Sequence, residues 1–214
     1  LLAVCAVFGS RTANAQVIGI PVGNEADFAQ AIIDINNNPT GDYRLVFGAN
    51  VTLSSPVRPI ELTTGSLTVV GDGHSIDGGG VARPFFIESG AVRIENLTIA
   101  GGLAQGGGGG TGAGGGLGAG AAIFVDVGGE LALKNVQFTN NAAIGGGGGA
   151  AGTGGGGGGL GGGGAGGTAS GAGGGGGLYG AGGSSSADGG GGGGGEFGAG
   201  GSANAVNGGG GGGV

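Results

Sequence analysis

The side chains that could do chemistry are few, and several fall in one stretch, Gly71-Asp72-Gly73-His74-Ser75-Ile76-Asp77-Gly78-Gly79. A glycoside hydrolase needs two or three carboxylates around one bond, and Asp72 and Asp77 are near enough in sequence to raise that chemistry. The glycines beside each aspartate favour a simpler reading as turns, where Gly takes positive φ and Asp bonds the backbone. His74 is the single histidine, so a histidine-based metal site or nucleophile has no partner. Arg93 and Glu95 share a strand but match no recognisable catalytic motif. The glycine runs hold no Lys and no G-x-x-x-x-G-K-[ST] following a strand, so they do not cradle phosphate. The expectation is a chain that is not an enzyme, with no catalytic, cofactor-binding or metal-binding residues and no cofactor.

The elements around these residues repeat. With Gly90 placed on Gly129, Val92 meets Leu131, Ile94 meets Leu133, Asn96 meets Asn135 and Ile99 meets Phe138, all at an offset of 39. Val92-Arg93-Ile94, Leu97-Thr98-Ile99, Leu131-Ala132-Leu133 and Val136-Gln137-Phe138 alternate apolar and polar, the period of a strand with one face buried. Asn96 sits between two such strands, where the chain must bend, and Asn tolerates the left-handed conformation. The beat runs backwards too. Leu67 and Val69 precede Val92 and Ile94 by 25, Leu53 precedes Ile76 by 23, and Ile60 precedes Phe86 by 26. Short strands at such intervals predict an all-β right-handed parallel β-helix of about four coils, with stacked Asn forming a ladder at the corner.

Three segments carry a family resemblance: Thr68 to Gly79, Arg93 to Ile99 with Gly101-Gly102, and Lys134 to Ala142. They resemble the right-handed parallel β-helix passengers of bacterial autotransporters and polymorphic outer-membrane proteins and, more distantly, the pectin-lyase-like superfamily. The resemblance covers residues 43–144. It implies surface display or adhesion, with a membrane anchor in a C-terminal β-barrel that this chain does not contain. The superfamily's enzymes carry aspartate pairs and later His and Arg/Lys motifs that do not appear here.

The rest of the chain divides by composition. Leu1 to Phe8 is apolar and Ala13-Asn14-Ala15 precedes Gln16, the pattern of a secretory signal peptide over 1–15 whose basic start is missing. Cys5, the only cysteine, lies there, so the mature chain has no disulfide framework. The formal net charge of −7 argues against nucleic acid and against attraction to anionic membranes. Residues 16–42 hold a helix over 24–36: Phe28, Ile32 and Ile35 share one face, Asn24 caps it, and Asn37 to Gly41 end it. Laid over the end of the strands, it would cap them. Residues 43–144 form the β-helix, interrupted by a Gly-rich loop over 101–120. Residues 145–214 are Gly-rich with no Lys or Arg, and their composition predicts a flexible segment.

Together these readings predict an exported, non-catalytic surface module acting in adhesion, display or self-association. Its partner would be a surface ligand or another copy. Two alternatives remain: a secreted polysaccharide-degrading enzyme, which a cluster of acids on one face would favour, and a glycine-rich wall or matrix protein, which a periodic, ordered tail would favour.

Overall fold

The computed structural model describes residues 17–111, 113–149, 154–168, 171–186, 189–203, 209, 211 and 212. The predicted signal peptide, Cys5 and Asp188 lie outside them. The elements in chain order are β1 (Ile18–Val22), α1 (Glu25–Asn37), β2 (Asp42–Phe47), β3 (Val51–Thr52), β4 (Ile60–Val70), β5 (Ser75–Asp77), β6 (Phe85–Glu95), β7 (Thr98–Ala100), β8 (Leu103–Gln105), β9 (Ile123–Lys134), β10 (Gln137–Thr139) and β11 (Ala142–Ile144).

The expected right-handed β-helix of about four coils is corrected by this arrangement. The strands form three separate parallel sheets, ordered β1-β2-β4-β6-β9, β10-β7-β5-β3 and β11-β8, and the sheets are neither closed nor coiled. Part of the reason is visible in the chain. The third sheet has strands only at 103–105 and 142–144, because the corresponding earlier stretches are irregular. Pro56 and Pro59 lack the N–H a ladder needs, and Gly79 and Gly80 turn at φ 62° and 69°.

The local repeat survives the correction. Gly90 pairs with Gly129, Val92 with Leu131 and Ile94 with Leu133, the register read from the offset of 39. Leu67 pairs with Val92, and Ile76 with Ile99. Two expected pairs shift: Ile76 faces Val51 rather than Leu53, and Ile60 faces Ile87 rather than Phe86. Asn96 and Asn135 take φ 51° and 53° at matching bends, and the Asn135 Nδ2 donates to Asn96 Oδ1 at 3.1 Å. An αL residue other than glycine strains the backbone, and Asn bears that strain best.

α1 begins one residue later than expected. Asn24 caps it, its Oδ1 accepting from the Asp27 N–H at 3.0 Å. The Glu25 carboxylate accepts from the backbone N–H groups of Ser54 and Ser55 and from both hydroxyls, so it ties the helix start to the following loop. Phe28, Ile32 and Ile35 face inward, and α1 packs on β1 and β4. Phe28 lies 5.9 Å from the Phe47 ring and 5.6 Å from Phe85. The core beneath is one apolar cluster running from Val22 to Ala122.

The glycine-rich parts fold together, which composition does not predict. Gly156 N–H bonds Ala165 O and Gly159 bonds Gly162 O. Eighteen residues on, Gly174 bonds Gly183 and Gly177 bonds Gly180; eighteen further, Gly192 bonds Gly201 and Gly195 bonds Gly198. These are antiparallel hairpins of extended chain. Other amides reach back nineteen residues: Gly173 to Gly154, Gly176 to Gly157, Gly191 to Ala172 and Gly194 to Gly175. Two layers of parallel legs result. The bonding side recurs every third residue, the period of a polyproline-II chain. Residues 106–116 join the same bundle through Gly107 to Gly159, Gly110 to Gly156 and Gly164 to Gly108. The described residues of the insertion and of the tail therefore share one hydrogen-bonded bundle, where composition predicts a free loop and a flexible segment.

Candidate functional site

The residues singled out for chemistry serve the backbone. Asp72 and Gly73 sit at φ 50° and 86° in one tight bend. The Asp77 Oδ1 accepts from the Gly79 N–H at 2.8 Å. His74 N–H bonds Gly71 O within that bend. Arg93 pairs with Glu95 on the outer face of β6. None of these contacts brings Asp72 and Asp77 together over a shared groove.

The structure instead gathers side chains along the seam where the bundle meets the sheets. Arg83, only 3% exposed, precedes β6. Its Nε and Nη2 donate to the carbonyls of Gly120 and Ala119 at 2.8 and 2.7 Å. Its guanidinium lies 5.5 Å from the Phe86 ring and 5.2 Å from Phe124. Planar stacking of this kind suits Arg and not Lys. Burial pushes the guanidinium below its ordinary value, and the adjacent Tyr179 partly offsets this. The Tyr179 hydroxyl is sealed from solvent without a well-formed hydrogen bond, and burial raises its pKa, so it stays a neutral phenol.

Tyr179 and Phe197 occupy the same place in successive 18-residue repeats and stack at 5.2 Å. Arg58 lies 5.3 Å from the Phe197 ring. Beside them, Ile33, Asn36, Asn37, Arg58, Glu61 and Glu196 line a groove of about 410 Å³. One Glu196 oxygen is buried there without a partner. Burial, then Glu61 and Glu88, raises the Glu196 pKa against the pull of Arg58. Burial, then Glu61 and Asp126, raises that of Glu88. A carboxyl kept protonated above its usual range can donate a proton. Among the described residues, no three of His, Cys, Asp or Glu are placed to hold a metal ion.

Burial of these acids, with the repulsion between them, has a consequence for stability. Both acids bind protons more tightly folded than unfolded, so lowering the pH toward 4.5, their ordinary value, relieves a penalty that is present at neutral pH. Glu88→Gln should therefore stabilise the chain at pH 7, by under about 1 kcal/mol because the group is largely solvated. It should also flatten the gain seen between pH 7 and 5 in denaturant titrations. Glu25 and Glu95 act oppositely. Hydrogen bonds from Ser54 and Arg93 respectively hold their pKa values down, so their contribution is lost only as the pH falls below 4.5.

The second feature is an open edge. β9, β10 and β11 each end their sheet, and Val125, Val127, Leu133, Phe138 and Ile144 are exposed along them. β9 is a twelve-residue edge strand, the kind of unpaired template that proteins usually cover.

The seam could have been anticipated from the sequence. Leu160, Leu178 and Glu196 open three consecutive blocks of 18, with Tyr179 and Phe197 following the last two. The offset of 39 was the more obvious repeat because apolar side chains mark it, while glycine hides the shorter one. The open edge could not be anticipated, because Leu131 and Leu133 read like any core-facing pair. Compared with known proteins, the chain matches no family model, no curated protein and no solved structure.

Proposed function

We propose that this chain is a non-catalytic structural module of an exported surface or matrix protein, working through display and association. The observation that supports the reading best is the glycine bundle. It builds length from backbone hydrogen bonds alone, in 18-residue steps that carry almost no reactive side chains. Such a repeat extends a surface at little cost in sequence complexity. The apolar run and Ala13-Asn14-Ala15 favour export, and the resemblance to autotransporter passengers favours display at the cell surface.

Cells displaying the full chain should clump and sediment faster than cells displaying a Gly174→Val variant, whose bundle cannot close. Equal sedimentation overturns the reading. A second reading, a polysaccharide-degrading enzyme, is favoured by Glu196 alone, a carboxyl of raised pKa in a groove beside Glu61. Neutral and acidic polysaccharides incubated with the chain should yield no new reducing ends and no unsaturated products. Turnover that disappears in Glu196→Gln would replace the first reading with the second.

A further inference from the structure

We infer that the open edge is a docking surface for a second copy of this chain, joined by antiparallel pairing of β9 with β9 about a two-fold axis. The inference rests on the associative reading above and names its partner.

The chemistry of the edge selects the occupant. Each strand at this end is a near-copy of the one it packs on: Leu131 and Leu133 lie on Val92 and Ile94, and Phe138 lies on Ile99. The surface left over is thus of the kind that another edge of this chain would match. At the opposite end of the sheet α1 packs on β1 and β4 and sends Phe28, Ile32 and Ile35 into the core, so the two ends differ. The same edge of another copy would meet it in an isologous contact, the commonest symmetry.

The sequence of β9 suits that symmetry. With Ala132 on the axis, Glu130 of each copy faces Lys134 of the other, and Leu131 faces Leu133. Alternation along the strand puts Glu130, Ala132 and Lys134 on one face and the two leucines on the other. The two-fold axis passes a small residue, two opposite-charge pairs flank it, and a four-leucine patch forms beneath. No like charges are opposed, a condition cross-strand pairs require. Glu130, Lys134 and Leu133 are all exposed in the single chain. Pairing over residues 130–134 would join two five-stranded sheets into one continuous sheet and cover the C-terminal end of the edge.

Sedimentation velocity of the full chain should show a concentration-dependent dimer. Leu133→Lys should raise the dimer dissociation constant at least tenfold while circular dichroism and melting temperature hold. Because Leu133 is half exposed and packs partly on Ile94, the charge reversals provide a second route. Glu130→Lys and Lys134→Glu should each weaken the dimer, and the double swap should restore it. A chain that stays monomeric, a dimer indifferent to Leu133→Lys, or a swap that fails to rescue overturns the inference. So does open-ended polymer growth, which would mean head-to-tail contact. Displayed cells that still clump through a Leu133→Lys chain would leave the proposed function standing and this partner wrong.

Discussion

Gly174→Ala breaks the glycine bundle, while Gly175→Ala, one residue along, leaves it intact. A Cβ at Gly174 would stand 2.0 Å from the carbonyl oxygen of Gly192. Its neighbours are backbone, so no side chain can rotate away, and the leg must move off its partner. Gly174 also donates to Gly183 and accepts from Ala165, so displacement breaks bonds on both sides. Overpacking costs about 1–3 kcal/mol and more when nothing yields; the upper end applies here. At Gly175 the nearest atom is the Gly157 oxygen at 3.6 Å, an ordinary contact. There the alanine restricts the unfolded chain and stabilises by about 0.4–1 kcal/mol. The pair therefore differs in sign as well as size. Thermal melts should separate the two variants, and amide exchange should show lost protection at Gly183 and Gly192 in Gly174→Ala alone. Equal melts would mean that the legs do not pack in this register.

Phe28→Ala should cost about 3–5 kcal/mol, the usual range for emptying a buried aromatic site. Phe28 is fully buried, tilted against Phe47 and edge-on to Phe85. It is the side chain through which α1 reaches both β2 and β6. Rigid sheets on either side cannot collapse into the gap, so most of the cavity term is retained. Ile33→Ala on the same helix is the control. Ile33 is 36% exposed and should cost under about 1 kcal/mol. Denaturant titration of both variants checks the difference. A small loss at Phe28 would mean that the helix is a surface ornament rather than part of the core.

Several features were readable from local chemistry. The helix was, because Asn24, the acids of its first turn and the spacing of Phe28, Ile32 and Ile35 each point the same way without needing the rest of the chain. The bends at Asn96 and Asn135 were, because only a few residue types accept positive φ. The turn roles of Asp72 and Asp77 were, because the adjacent glycines announce them. The seam was harder. Arg83 looks like any surface cation until Phe86, Phe124 and the carbonyls of 119–120 surround it. Glu61 and Glu88 meet where β4 pairs with β6, and the return of the bundle onto the sheets adds Glu196 to them.

The glycine-rich tail reversed expectation for a physical reason. Composition measures what side chains can bury, and by that measure residues 145–214 should not order. Glycine can instead bring backbone to backbone closely enough for every third amide to find a carbonyl. That gain depends on a repeat of eighteen, so it belongs to the pattern rather than the content.

The sequence by itself determined the strand alternation, the register at an offset of 39, the helix with its cap and the positions of the bends, because each is set by neighbours within a few residues or by a repeat of like side chains. The tertiary structure alone decided that the strands lie in three unclosed sheets, that the described residues of the insertion and the tail share one bundle, that Glu61 and Glu196 line one groove with Arg58, and that β9 pairs on one side only among the described residues. Those outcomes depend on which distant surfaces come into contact, and no local preference specifies that.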